Sequence, residues 1–169
     1  MKEYNSDIAV LIANSKNTIE IIKQNWQFYN NFKENEFATL GRTTVSAMVL
    51  SQVFVDFYTC IETLLFRISQ QFENNLRKEQ WHKELLQKMS LTIPKIRPAV
   101  LSKRTELLLS EILRFRHFKR YYFDFDYDWA KLDLIDNKYK EVYPLIINDT
   151  LEFIEFLNEI QNVEQQKPT

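Results

Sequence analysis

Residues 45–68 read VSAMVLSQVFVDFYTCIETLLFRI, and this stretch decides the fold. Val45, Met48, Val49, Gln52, Val53, Asp56, Phe57, Cys60, Leu64, Phe66 and Ile68 recur at helical intervals, which predicts one long helix over residues 43–73. The apolar content runs around the whole circumference. Such a helix is buried by its neighbours or covered by a second copy of the chain. Asp56 and Glu62 interrupt it, and each calls for a partner, because an unpaired carboxylate in apolar surroundings is costly.

The same character extends outward. The 169 residues include one glycine and four prolines. Sheets and their tight turns need more punctuation than that, whereas long helices need little. A first helix is expected over 5–33, where Ile8, Leu11, Ile12, Ser15, Ile19, Ile22, Trp26, Tyr29 and Phe32 keep helical spacing and Asn5 or Ser6 can cap it. A connection with Gly41 spans 34–42. A short helix follows over 79–89, then an irregular segment over 90–100 with Pro94 and Pro98. Ser102 then caps a helix running to about Tyr122, and a last helix covers 129–161, with Pro144 predicting a kink or short break near Tyr143. The expected architecture is all-α: an antiparallel bundle of about five helices, one domain over 1–162 and a C-terminal tail over 163–169.

Net charge is −1, so any nucleic-acid contact must come from local clustering. The single cysteine, Cys60, excludes an internal disulfide framework, suits a reducing cytosol and reads as core filler. The N-terminus has no signal-peptide apolar core, and no run of uninterrupted apolar residues reaches the roughly 20 needed to span a bilayer. A cytoplasmic protein without a membrane partner is expected.

Local clustering is what residues 114–123 show: Arg-Phe-Arg-His-Phe-Lys-Arg-Tyr-Tyr-Phe. On a wheel advancing about 100° per residue, Arg114, Tyr121, His117, Arg120 and Arg116 fall at roughly 0°, 340°, 300°, 240° and 200°, one broad side of the helix. Phe115, Phe118, Leu107, Leu108 and Tyr122 fall on the other, with Leu109 and Leu113 as exceptions. Arginine holds phosphate and histidine moves a proton near neutral pH, so Arg114, His117 and Arg120 can meet at one phosphate. The following turn reverses the charge with Asp124, Asp126 and Asp128, which can pair with the arginines or compete with RNA for them. From spacing alone, a solvated polar face is the commoner reading.

Several blocks in order add to this. They are Phe57-Tyr58-x-x-Ile61-Glu62, Trp81-His82-x-x-Leu85-Leu86-x-x-Met89, Arg97-Pro98-Ala99-Val100-Leu101-Ser102 and Arg114-Phe115-Arg116-His117-Phe118-x-Arg120, then Tyr122. Together, over roughly residues 45–157, they resemble the HepT-like branch of the HEPN superfamily, toxins paired with a minimal nucleotidyltransferase antitoxin. The resemblance implies a helical bundle that forms a homodimer and places two Arg/His motifs across a shared cleft. It implies a metal-independent ribonuclease acting on RNA such as tRNA or mRNA, without a cofactor. The ribose 2′-hydroxyl attacks the adjacent phosphate, His117 serves as general acid or base, and Arg114 or Arg116 stabilises the phosphorane-like state. Arg120 and Lys119 are the phosphate-binding residues, and Tyr122 or Tyr121 is the position for AMPylation by the antitoxin. The wider HEPN pattern has a longer spacer between arginine and histidine than this chain, and a tyrosine where Lys119 stands. A non-catalytic helical module that binds a nucleotidyltransferase or another protein is the alternative.

Other constellations carry less. Asp124, Asp126 and Asp128 alternate as in a calcium loop, but Trp129 and Ile135 stand where such a loop needs glycine and glutamate. Asp128 reads as a helix cap instead. His82 reads as structural packing, and Glu62 as the partner of an arginine in the basic stripe, which it can also orient. The aromatic run Tyr121 to Trp129 reads as core or dimer packing rather than a base-stacking platform. With one glycine there is no phosphate-binding loop of P-loop or Rossmann type.

Overall fold

The computed structural model describes residues 2–73, 81–121 and 127–165. It is an all-α bundle: α1 (Lys2–Glu34), α2 (Glu36–Leu40), α3 (Thr44–Phe72), α4 (Trp81–Met89), α5 (Lys103–Tyr121) and α6 (Trp129–Gln165). Cross-helix bonds set the directions. Asn14 of α1 meets Arg67 of α3 at 2.8 Å, and Asn25 meets the Val53 carbonyl at 3.1 Å, so α1 and α3 run antiparallel. Tyr29 donates to Asp136 at 2.6 Å and Tyr139 to Asn25 at 2.8 Å, which makes α6 antiparallel to α1. Ser102 N–H reaches Asp149, while Arg104 reaches Glu141, so α5 and α6 are antiparallel as well.

The middle of the bundle is aromatic. Phe54, Phe57 and Tyr139 are fully buried, and Trp26 stacks on Tyr143 with ring centroids 4.2 Å apart. α3 lies at the centre, packed against α1, α4, α5 and α6. It is not apolar all the way round: Gln52, Asp56, Thr59, Thr63 and Arg67 form an exposed stripe, and Gln52 donates to Asp56 at 2.7 Å. Among the described residues α3 is the one helix long and apolar enough to cross a membrane by length and composition, and half of its most apolar window is buried inside the bundle.

The expected caps Ser102 and Asp128 act, and Thr43 adds another. Thr43 Oγ1 accepts from Ser46 N–H at 3.2 Å, Ser102 Oγ from Thr105 N–H at 3.2 Å, and Asp128 Oδ1 from Ala130 N–H at 2.9 Å. Three boundaries differ from the sequence reading. α1 begins at Lys2, upstream of Asn5 and Ser6. The connection after α1 contains the short α2, which ends on Gly41 at φ 64°, a conformation that suits glycine. α6 passes through Pro144 and continues to Gln165, beyond the expected tail boundary. Pro144 and Lys140 are both exposed residues, and Pro144 lacks the N–H that would donate to the Lys140 carbonyl.

One buried cation shapes the approach to α4 and α5. The Arg97 side chain has no exposed surface and pairs with Glu73. It also donates at 3.0 Å to each of the carbonyls of Lys88, Leu91 and Pro98. Met89 O accepts from both Val100 and Leu101, closing the connection. Leu85, Leu86 and Met89 are buried, so α4 is held along its length. Cys60 is half-buried with its thiol on the Phe57 carbonyl, and burial pushes its pKa up to about 12.

Two outcomes follow. Arg97→Ala leaves Glu73 and three carbonyls short of their donor, and breaking a buried pair costs about 3–5 kcal/mol, to be read from urea unfolding. Cys60 stays in its thiol form through pH 9, so a disulfide reagent at pH 8 leaves the native protein unlabelled and titrates one thiol only after urea is added.

Candidate active site

Three helices converge on one carboxylate. Glu62 sits on the core side of α3 with about 6% of its side chain exposed. His82, one residue into α4, brings Nδ1 to 2.5 Å from Glu62 Oε1. Arg116 of α5 brings Nη1 to 3.1 Å from Oε2 and lays its guanidinium 5.6 Å from the Tyr58 ring centre. The Tyr58 hydroxyl is buried beside this cluster. Burial, and secondly the Glu62 charge, push its pKa well above the ordinary phenol range. His117 stands next along α5, its ring 5.5 Å from that of His82 and edge-on to it at 78°.

A cavity of about 670 Å³ opens beside these rings. Its wall is formed by His82 and Gln87 from α4 and by Lys103, Glu106, Leu107, Ser110, Glu111, Leu113, Arg114 and His117 from α5. The volume suits a nucleotide-sized ligand. Arg114 is about 71% exposed and pairs with Glu111 at 2.6 Å. An exposed pair of this kind is worth roughly 0–1 kcal/mol, so the guanidinium can exchange Glu111 for a phosphate at little cost. Glu106 also lines the cavity, is buried and is held by Lys103.

The structure therefore sorts the expected site residues. His117 and Arg114 share the cavity. Arg116 does not: it points into the bundle and is committed to Glu62. Lys119 lies away from the cavity, donating to Gln52 of α3 at 3.1 Å, and burial lowers its pKa despite nearby Asp56. The side chains of Arg120 and Tyr121 lie outside the described residues, as do Tyr122, Asp124 and Asp126. Among the described residues no group of three His, Cys, Asp or Glu side chains gathers as metal ligands would.

The expected orientation of α5 is corrected. Thr105, Leu108, Leu109, Ile112 and Leu113 are buried, whereas Leu107 and Phe118 are 50% and 42% exposed. The core side centres on Ile112, which turns Arg116 inward. His82 also changes standing, from packing residue to cavity wall. The signal that could have found it was its place as one of only two histidines, in a block with Trp81.

A family model described as HepT-like protein matches residues 49–157. No curated protein and no solved structure gives a match to the chain. The matched span takes in most of α3, all of α4 and α5 and most of α6, hence Glu62, His82, Arg114, Arg116 and His117 together. With well over half of its length covered, the chain belongs to the HepT-like protein family.

Proposed function

We propose that this protein is the metal-independent endoribonuclease toxin of a HEPN/nucleotidyltransferase toxin–antitoxin pair, acting as a cytoplasmic homodimer. The observation that carries the reading is a single cavity bordered by His117 and Arg114, with a second arginine locked to a buried carboxylate directly behind it. Arg114 engages the scissile phosphate and stabilises its developing charge. His117 transfers a proton to or from the reacting oxygens. Arg116 holds Glu62 and so fixes the pitch of α5, a positioning role. Lys119 and Arg120, further along α5, guide the RNA backbone. Exposed Leu107 and Phe118 offer apolar surface for the second copy. The antitoxin's AMPylation falls on Tyr122, with Tyr121 as the alternative.

The competing reading is a non-catalytic module that binds a nucleotidyltransferase. The observation on its side is the Arg116–Glu62 pair, which also serves as an ordinary buried ion pair.

Purified protein cleaves single-stranded RNA or tRNA in EDTA, and His117→Ala lowers the rate about 10²–10⁴-fold. Equal rates for the two proteins, or intact RNA with a folded wild type, exclude the nuclease in favour of the binding module. Arg114→Ala folds normally and lowers kcat/KM by about tenfold or more, as loss of one charge-assisted phosphate contact in the transition state predicts. That penalty shrinks as salt is added. Unchanged kcat/KM would remove Arg114 from the phosphate site.

A further inference from the structure

Cleavage by 2′-hydroxyl attack moves protons at two different oxygens. One group takes the proton from the 2′-oxygen as its bond to phosphorus forms. Another gives a proton to the 5′-oxygen as its bond to phosphorus breaks. In an in-line displacement these oxygens lie on opposite sides of the phosphorus, so one imidazole cannot attend to both in the same step. His117 supplies one transfer, and the other has two candidate sources: His117 of the partner subunit across a shared cleft, or a second histidine of the same chain. We propose that His82 supplies the other, as a second acid–base residue in the same cavity. This rests on the ribonuclease reading above.

Position supports it first. His82 and His117 come from different helices, border the same cavity and stand with ring centres 5.5 Å apart. The two rings stand edge-on at 78°, close enough for both to reach one phosphate. Orientation supports it next. Glu62 Oε1 holds Nδ1 at 2.5 Å, so Nε2 is the ring atom through which His82 exchanges a proton with a substrate. Arg116 holds the other carboxylate oxygen and keeps Glu62 from turning away.

The step balances without a further reagent. The 2′-oxygen–phosphorus bond forms and the phosphorus–5′-oxygen bond breaks, giving a 2′,3′-cyclic phosphate and a free 5′-hydroxyl. One imidazole ends with an additional proton and the other with one fewer, and exchange with water restores both.

The test uses two variants and two substrates. His82→Gln keeps a donor for Glu62 but cannot shuttle a proton, and its thermal unfolding is compared with wild type to confirm the fold. His117→Gln is its counterpart. Each is assayed on RNA and on the same RNA carrying sulfur in place of the bridging 5′-oxygen, a leaving group that needs no proton. On RNA each variant loses about 10²–10⁴-fold in kcat, with KM changed much less. On the sulfur substrate one of the two losses disappears and the other persists, which identifies the acid and the base. A wild-type rate for His82→Gln on RNA, or losses that both persist or both disappear on the sulfur substrate, overturns the proposal and leaves the ribonuclease reading intact. Uncleaved RNA with folded wild type overturns both.

Discussion

The Glu62 carboxylate is the constraint on which the site depends. It sits on the inner face of the most apolar helix of the chain, where an isolated charge would cost several kcal/mol. Its two oxygens are met from two other helices, by His82 at 2.5 Å and Arg116 at 3.1 Å. Neither donor is adjacent to Glu62 in sequence, so the charge is compensated only when α3, α4 and α5 have all docked. The cluster is therefore a registry device as well as an electrostatic one. It stops α5 from rotating and α4 from sliding, and both motions would separate the two imidazoles. Arg97 fixes the next degree of freedom by tying the end of α4 and the connection to α5 around one buried guanidinium.

Much of the bundle could be read from residues alone. One glycine, long runs at helical spacing and well-placed Ser102 and Asp128 caps are local signals, and local signals determine where helices start and what type of element they are. α2 escaped because a single turn leaves no periodicity to detect. The continuity of α6 escaped because a proline rule weighs one lost hydrogen bond and not the packing of Trp26 on Tyr139 and Tyr143, which holds the helix in the turn before Pro144.

The candidate site was less legible. A wheel places residues relative to one another and leaves the absolute direction of the core undetermined. Weighting every apolar residue equally put Leu107 and Phe118 inside and left Leu109 and Leu113 as exceptions. The neighbours α3 and α6 decide otherwise, and the roles of the arginines change with that rotation. His82 was harder still, because its meaning lies in a contact with a residue twenty positions earlier.

The rotation also bears on the short spacing of the basic motif. If Arg114 and Arg116 were equivalent, the two residues between Arg114 and His117 would leave the choice of active arginine open. They are not equivalent. Arg116 is held between Glu62 and the Tyr58 ring, with only about 21% of its side chain exposed, so engaging a phosphate would strip a buried carboxylate of its partner. Arg114 shares an exposed bond with Glu111, which a phosphate can replace at little cost. Arg116 is therefore committed to its partner, and Arg114 is the more readily exchanged of the two. On an α-helix, residues three apart share a face, so Arg114 and His117 can close on one ligand from the same side of α5.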